Sequence, residues 1–314
     1  MSRTQTIPVV SLDDFRHGTE AQRAEFIQTV GDALRDIGFF ALTDHGVDQT
    51  LIRDAYARAE QFFLLPEDTK RRYEDLALRG QRGYTSFGRE HARGSTAADL
   101  KEFWHVGREE GRGPDMPANL WPDDDVPDFR PTLHGLYRQL DACAMHLLEA
   151  CSTYIGEDPG LLPGHARGGD TVLRVIHYPP VPDDADPSAI RAGAHEDINF
   201  ITLLCESTDE GLELLQRDGT WLPIHALDGQ IIVDSGDMLQ QLTNGLLRST
   251  THRVVNPSND RSRRFSMPMF VHPRADVDLT PLASCIARTG GEARYPEITA
   301  RAYLHQRLKE IGLA

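Results

Sequence analysis

His195-Glu196-Asp197, with Thr251-His252-Arg253 far downstream, supplies the residue types of a metal site. Imidazole and carboxylate bind divalent transition metals. Residues i and i+2 of a strand point to one face. The spacing therefore predicts that His195 and Asp197 reach one ion from a single strand, with His252 brought in by the fold. Two imidazoles and one carboxylate on one face of iron(II) leave the opposite face open for substrate and O2. Zinc accepts the same donors, so the triad alone does not choose the metal. Twelve residues beyond His252 stand Arg264 and Ser266, another i, i+2 pair. A guanidinium is a planar fork suited to a carboxylate, and Ser266 adds a hydroxyl on the same face. Phe265, Met267 and Phe270 around Arg264 point to a buried strand, where an unpaired guanidinium is costly. Arg261 and Arg263 have no such surroundings and read as solvated.

The elements that must hold these residues change texture near Thr171. Beyond it, short apolar runs alternate with turn signals. Val172–Tyr178, Phe200–Cys205, Leu212–Gln216, Gln230–Asp234 and Arg264–Val271 read as strands, without intervening helices. Arg217-Asp218-Gly219-Thr220 and Leu227-Asp228-Gly229 read as tight turns. Gly236-Asp237 and Asn244-Gly245 read the same way, with Asp237 a turn former rather than an acid catalyst. Many short strands argue for a two-sheet jelly roll. His177 should face away from its neighbours Ile176 and Tyr178, and His177, His225 and His272 read as structural.

The earlier half reads as helical. Thr19-Glu20-Ala21-Gln22 is a capping box. Phe26, Ile27, Val30, Leu34 and Ile37 then recur at helical spacing up to Gly38. Phe39–Leu42 reads as a short strand and Gln49 to about Phe63 as a second helix. Gly80–Pro127 is rich in Gly, Pro and charge, and reads as loops with short elements. Pro131 opens the clearest helix, whose apolar stripe from Leu133 to Cys151 is explained by core packing. Ile298–Ile311 reads as a closing helix. One domain is expected, with an N-terminal helical and loop region over 1–130, a core over 165–280 and a C-terminal helix over 281–314.

Composition narrows the function classes. With 314 residues, 39% hydrophobic and 26% charged, the chain can bury a large core. A formal net charge of −15 disfavours nucleic acid and anionic membrane surfaces as partners. No apolar run is long enough for a spanning helix, and the first residues lack the apolar core of a signal peptide. Cys143, Cys151, Cys205 and Cys285 show no metal or disulfide spacing. A cytoplasmic, reducing location is the expectation.

The triad belongs to an ordered set of pieces. Ile7-Pro8-Val9-Val10-Ser11-Leu12, Gly38-Phe39-Phe40, Asp44-His45-Gly46-Val47, Phe62-Phe63-Leu64-Leu65-Pro66, Gly83-Tyr84 and Asp99-Leu100-Lys101-Glu102 come first. His195–Leu204, Asp234–Gln240, Leu242-Thr243-Asn244-Gly245, Thr251–Val254 and Arg264–Phe270 follow. In that order they resemble the isopenicillin N synthase-like branch of the iron(II)/2-oxoglutarate-dependent oxygenases, over roughly residues 7–310. The resemblance implies an α+β fold, a double-stranded β-helix core with N-terminal helices and a C-terminal helix packed on it. It implies a non-haem dioxygenase that uses iron(II), 2-oxoglutarate and O2, and releases succinate and CO2 while hydroxylating, desaturating or cyclising a small organic substrate. His195, Asp197 and His252 correspond to the metal ligands. Arg264, Ser266 and Tyr178 correspond to the residues that hold the distal carboxylate of 2-oxoglutarate. Tyr84, Phe87 and Trp104 fall in segments that border the substrate in relatives. One departure stands out: the family's Asn-x-Tyr reads Ile176-His177-Tyr178 here, so a donor near the iron-bound end of the co-substrate is lost. Two alternatives share these residues: an oxidase whose arginine and serine grip a substrate carboxylate without 2-oxoglutarate, and a non-catalytic binding module.

Overall fold

The computed structural model describes residues 7–89, 99–181, 190–205, 208, 210–224, 229–256 and 262–310. His225, Arg261 and the expected turn at Leu227-Asp228 lie outside the described residues. The first part of the chain runs β1 (Val9–Ser11), α1 (Leu12–Arg16), α2 (Glu20–Asp36), β2 (Phe39–Thr43), α3 (Gln49–Phe63) and α4 (Glu67–Arg71). Then come β3 (Gly83–Thr85), β4 (Glu102–Gly107), α5 (Phe129–Ile155) and α6 (Leu161–Ala166). The roll follows as β5 (Val172–Tyr178), β6 (Ala192–His195), β7 (Ile201–Cys205), β8 (Leu212–Leu215), β9 (Trp221–Pro223) and β10 (Ile231–Ser235). It closes with α7 (Asp237–Leu242), β11 (His252–Val254), β12 (Arg264–Val271), α8 (Ala283–Arg288) and α9 (Ala300–Glu310).

Local signals explain several boundaries. Gln22 N donates to Thr19 Oγ1 and Thr19 N donates to the Gln22 side chain, so the capping box starts α2 as expected. Gly38 ends it in the left-handed region at φ 87°, where a Cβ would also stand 2.3 Å from Thr250 Oγ1. β2 can then turn straight into the sheet.

Among the described residues, twelve strands make two sheets. The larger has the order β1-β2-β10-β7-β12-β5-β4-β3 and the smaller β6-β11-β8-β9. β5, β12, β7 and β10 face the small sheet, which is the jelly-roll arrangement. The large sheet is buried on both faces, so its strands carry apolar residues at consecutive positions. Phe40, Val233, Leu203, Met267, Met269, Val175 and Trp104 point into a core shared with α2, α3 and α5. Phe39, Ala41, Ile232, Phe103, Ile176 and Tyr178 point into the roll, against Ala192, Leu212, Leu214 and Val254. The roll interior is thus a second apolar core, separated from the first by one layer of backbone.

Three expectations need correction. The region over 1–130 is not only helix and loop, because among the described residues it gives four strands to the large sheet. Two of these, β3 and β4, are short elements within the loop-rich stretch 80–127, and β4 is buried along its whole length. A short helix, α7, interrupts the strands of the roll and starts at Asp237, where a turn was expected. The segment beyond 281 holds two helices, α8 and α9, rather than one.

Candidate metal centre

β6 and β11 lie side by side in the small sheet, with His195 directly across from His252. β6 stops at His195, and Asp197 lies beyond it in the bend before β7. The expectation that one strand presents both residues is therefore corrected: the strand carries His195, and a tight bend carries Asp197. The bend is held from several sides. Asp237 N donates to Asp197 O at 2.7 Å, Gly236 N to Phe200 O at 2.9 Å, and Met238 N to Asn199 O at 3.1 Å. Gly236 is needed for this approach, since a Cβ there would come within 2.3 Å of Asn199 Oδ1 and 2.8 Å of Asp197 O.

The three side chains converge. One ligand atom from each of His195, Asp197 and His252 lies within 4.8 Å of the others. Asp197 Oδ1 is 3.8 Å from the Nε2 atoms of both histidines. One ion can bridge such a span, because two metal–ligand bonds of about 2.1 Å reach about 4.2 Å. His195 Nδ1 donates to Gly193 O at 2.7 Å and His252 Nδ1 to Thr250 O at 3.1 Å. These bonds place the proton on Nδ1 and leave both Nε2 lone pairs aimed at the centre. Asp197 Oδ2 accepts from Thr202 Oγ1, so Oδ1 is the oxygen turned to the histidines.

The electrostatics suit a cation. Burial and then the neighbouring imidazole of His252 push the His195 pKa down to about 4, so its ring is neutral at neutral pH, as a metal ligand must be. The His195 side chain is nevertheless 40% exposed. Its ring is thus wetted on one side. Burial, and after it the Asp197 charge, push Asp234 of β10 well above the ordinary carboxylate range. The low-dielectric surroundings and the nearby Asp197 carboxylate thus favour the neutral form of Asp234. The donor set fits iron(II), which prefers two imidazoles and a carboxylate with open positions opposite.

The other expected residues divide. Arg264 is 1% exposed and pairs across the β12–β5 ladder with Tyr178, its guanidinium 5.0 Å from the tyrosine ring centroid. Ser266 is buried and pairs with Ile176. Arg264, Ser266, Ile176 and Tyr178 thus form one patch on the inner face of the roll. Tyr84 and Trp104 pair with each other on the opposite face of the sheet. Trp104 packs edge-on against Phe62 and Phe129, and Tyr84 donates to Glu102. The structure places both in the core under the helices instead of inside the roll. Phe87 is exposed in the loop after β3. His177 is a core group as expected, donating to Glu102 at 2.7 Å and stacked on Phe265. His272 bonds its own strand end at Phe270 O. Thr202, Asp234, Gly236 and Asp237 were not assigned site roles. The one local signal for Thr202 is a hydroxyl within the otherwise apolar Ile201–Cys205 run.

Comparisons with known proteins give the family. Residues 7–124 match the family described as non-haem dioxygenase in morphine synthesis, N-terminal. Residues 169–273 match the 2OG-Fe(II) oxygenase superfamily. The proline hydroxylase buaE of Petromyces alliaceus is 31% identical over 94% of this chain and 96% of its own. The chain belongs to the 2OG-Fe(II) oxygenase superfamily. The 2-oxoglutarate-Fe(II) type oxidoreductase hxnY of Emericella nidulans is 29% identical over 93% of this oxygenase and 86% of its own length. Among solved structures, a 2OG-Fe(II) oxygenase family protein from Caulobacter crescentus is 40% identical, with TM-score 0.86 over 98% of this chain and all of its own. A full-length Neurospora crassa protein, solved with alpha-KG and thymine, has TM-score 0.87 at 27% identity over 98% of each chain. The oxygenase is accordingly a non-haem dioxygenase that uses iron(II), 2-oxoglutarate and O2. Among the described residues, no helix is long and apolar enough to cross a membrane.

Proposed function

We propose that His195, Asp197 and His252 hold the iron, and that Arg264, Ser266 and Tyr178 hold the distal carboxylate of 2-oxoglutarate. The observation that carries the reading is the convergence of three ligand atoms within 4.8 Å, with both histidines fixed as Nδ1 donors. Bound iron supplies the O2 chemistry that turns 2-oxoglutarate into succinate and CO2 and oxidises the substrate. The chain's own work is placement. The carbonyls of Gly193 and Thr250 set the imidazole tautomers, and Thr202 selects the Asp197 oxygen that faces the ion. The Arg264 fork meets a carboxylate at fixed depth in an apolar, water-poor interior, where a charged pair is strong. Ile176 lies beside Ser266 and offers no donor. The hold on 2-oxoglutarate therefore rests chiefly on chelation and on Arg264, with Ser266 and Tyr178 beside it.

The substrate is a small organic molecule taken up at the open end of the roll, a reading supported by the Neurospora crassa structure solved with thymine. The chain works as one domain, a reading supported by β1 and β2 pairing into the same sheet as the roll strands. It works in the cytoplasm, in keeping with four buried free thiols. Anaerobically reconstituted protein, given 2-oxoglutarate and then O2, should form succinate in proportion to bound iron. O2 uptake without succinate would point to the oxidase alternative and overturn the co-substrate assignment.

A further inference from the structure

Arg307 of α9 is a half-buried charge far from the ligands in sequence that meets their supports in space. It is 14% exposed, and its Nη2 lies 3.1 Å from Asp237 Oδ2 and 3.9 Å from Glu196 Oε2. Asp237 is the residue whose N–H donates to the carbonyl of Asp197. Glu196 sits between His195 and Asp197, and accepts from Thr251 Oγ1, next to His252. One guanidinium therefore touches a side chain tied to each ligand-bearing segment. The Asp237 arm is the stronger, being shorter and buried. The Glu196 arm is longer and more exposed, so solvent screens it. Arg307 is held in turn by Glu310 at 3.1 Å on its own helix.

We propose that Arg307 is a positioning residue for the metal centre, and that docking of α9 and loading of metal stabilise each other. This rests on the assignment of the three ligands above. Without Arg307, the buried Asp237 carboxylate loses its cation and the first turn of α7 loosens. The Asp197 carbonyl that it holds then loosens too. Reciprocity follows from linkage: if α9 favours the metal-ready bend, metal must favour docked α9.

The test uses the full chain and Mn(II) as a redox-silent probe. Metal binding is followed by the loss of the free-ion electron paramagnetic resonance signal. The parent should bind one equivalent, and His252→Ala should not. Arg307→Met should bind about tenfold more weakly, the low end of what groups behind metal ligands contribute. Arg307→Lys, which keeps the charge toward Asp237, should recover most of the affinity. Mn(II) should also slow amide hydrogen exchange across 300–310 in the parent. Equal affinity in parent and Arg307→Met overturns the proposal. Should Arg307→Met not fold, the parent's exchange decides: no protection of α9 by metal overturns it. If the parent binds no metal, or His252→Ala binds as well as the parent, the ligand assignment has failed and the clamp falls with it.

Discussion

Thr202→Val removes one hydroxyl at the metal centre. Valine keeps the branched shape and the strand fit of threonine and replaces only the hydroxyl. Two contacts go. Asp197 Oδ2 loses its donor, and Asn199 Nδ2 loses an acceptor at 2.9 Å. A hydrogen bond to an ionised group is worth about 1.5–3 kcal/mol net. The bond is already present without metal, so its loss divides between apoprotein stability and metal affinity. The affinity share comes from orientation, because an untethered Asp197 carboxylate rotates and must be re-aimed when the ion arrives. A tenfold weaker iron(II) dissociation constant takes up about 1.4 kcal/mol, at the low end of the range for groups behind metal ligands. The remainder, up to about 1.6 kcal/mol by the same sum, should appear as lower apoprotein stability. The assay is anaerobic iron(II) titration at saturating 2-oxoglutarate, alongside urea unfolding of the apoprotein. Unchanged iron affinity in Thr202→Val would refute the view that Thr202 aims Asp197.

Three further outcomes follow from other parts of the chain. Arg264→Ala should raise the 2-oxoglutarate requirement steeply, because breaking a buried charge pair from one side costs about 3–5 kcal/mol. Arg264→Lys should rescue only part of this, since a point charge replaces a fork. Succinate formation against 2-oxoglutarate concentration reads both. Ile176→Asn should change 2-oxoglutarate affinity by no more than about tenfold, one neutral hydrogen bond being worth about 0.5–1.5 kcal/mol; a larger shift would show that Ile176 governs the co-substrate site. Glu102 gives a pH test. Burial alone would raise its pKa, but hydrogen bonds from His177, Lys70 and Tyr84 outweigh burial and hold it below the usual carboxylate value. A depressed folded pKa means stability that is full above the unfolded value of about 4.3 and lost as pH falls through the folded one. Glu102→Gln should therefore be less stable than the parent at neutral pH, with the gap closing in acid. Urea midpoints that differ equally at both pH values would contradict this.

The boundary between legible and hidden features follows interaction range. α2, β2 and α3 were legible because a capping box, a glycine and a proline mark their ends locally. β5 and β12 were legible as long apolar runs. β4 was not, because Glu102 and His105 interrupt its apolar pattern. Their partners are remote, with Lys70 2.6 Å from Glu102 and His177 on the other side of it. For the same reason Tyr84 and Trp104 could not be assigned to a face: alternation is visible within a strand, but which face looks into the roll depends on the neighbouring strands. Asp197 was identified by type and spacing, while the bend that presents it depends on Gly236 and Asp237, some forty residues on. α7 was hidden because its six residues carry a turn-like start and no repeat of the apolar period. Arg307 is one charge in a polar helix, and nothing near it in sequence marks it as part of a metal centre.

The central claim is that this triad and this arginine place iron(II) and 2-oxoglutarate together in the roll. Anaerobic titration of the iron(II) protein with 2-oxoglutarate tests it directly, through the visible metal-to-ligand charge-transfer band of the chelate. The parent should develop the band and saturate. Arg264→Ala should need far more 2-oxoglutarate, and His252→Ala should show no band at all. A parent that binds iron(II) yet shows no band at millimolar 2-oxoglutarate, or a band that survives in His252→Ala, would contradict the account.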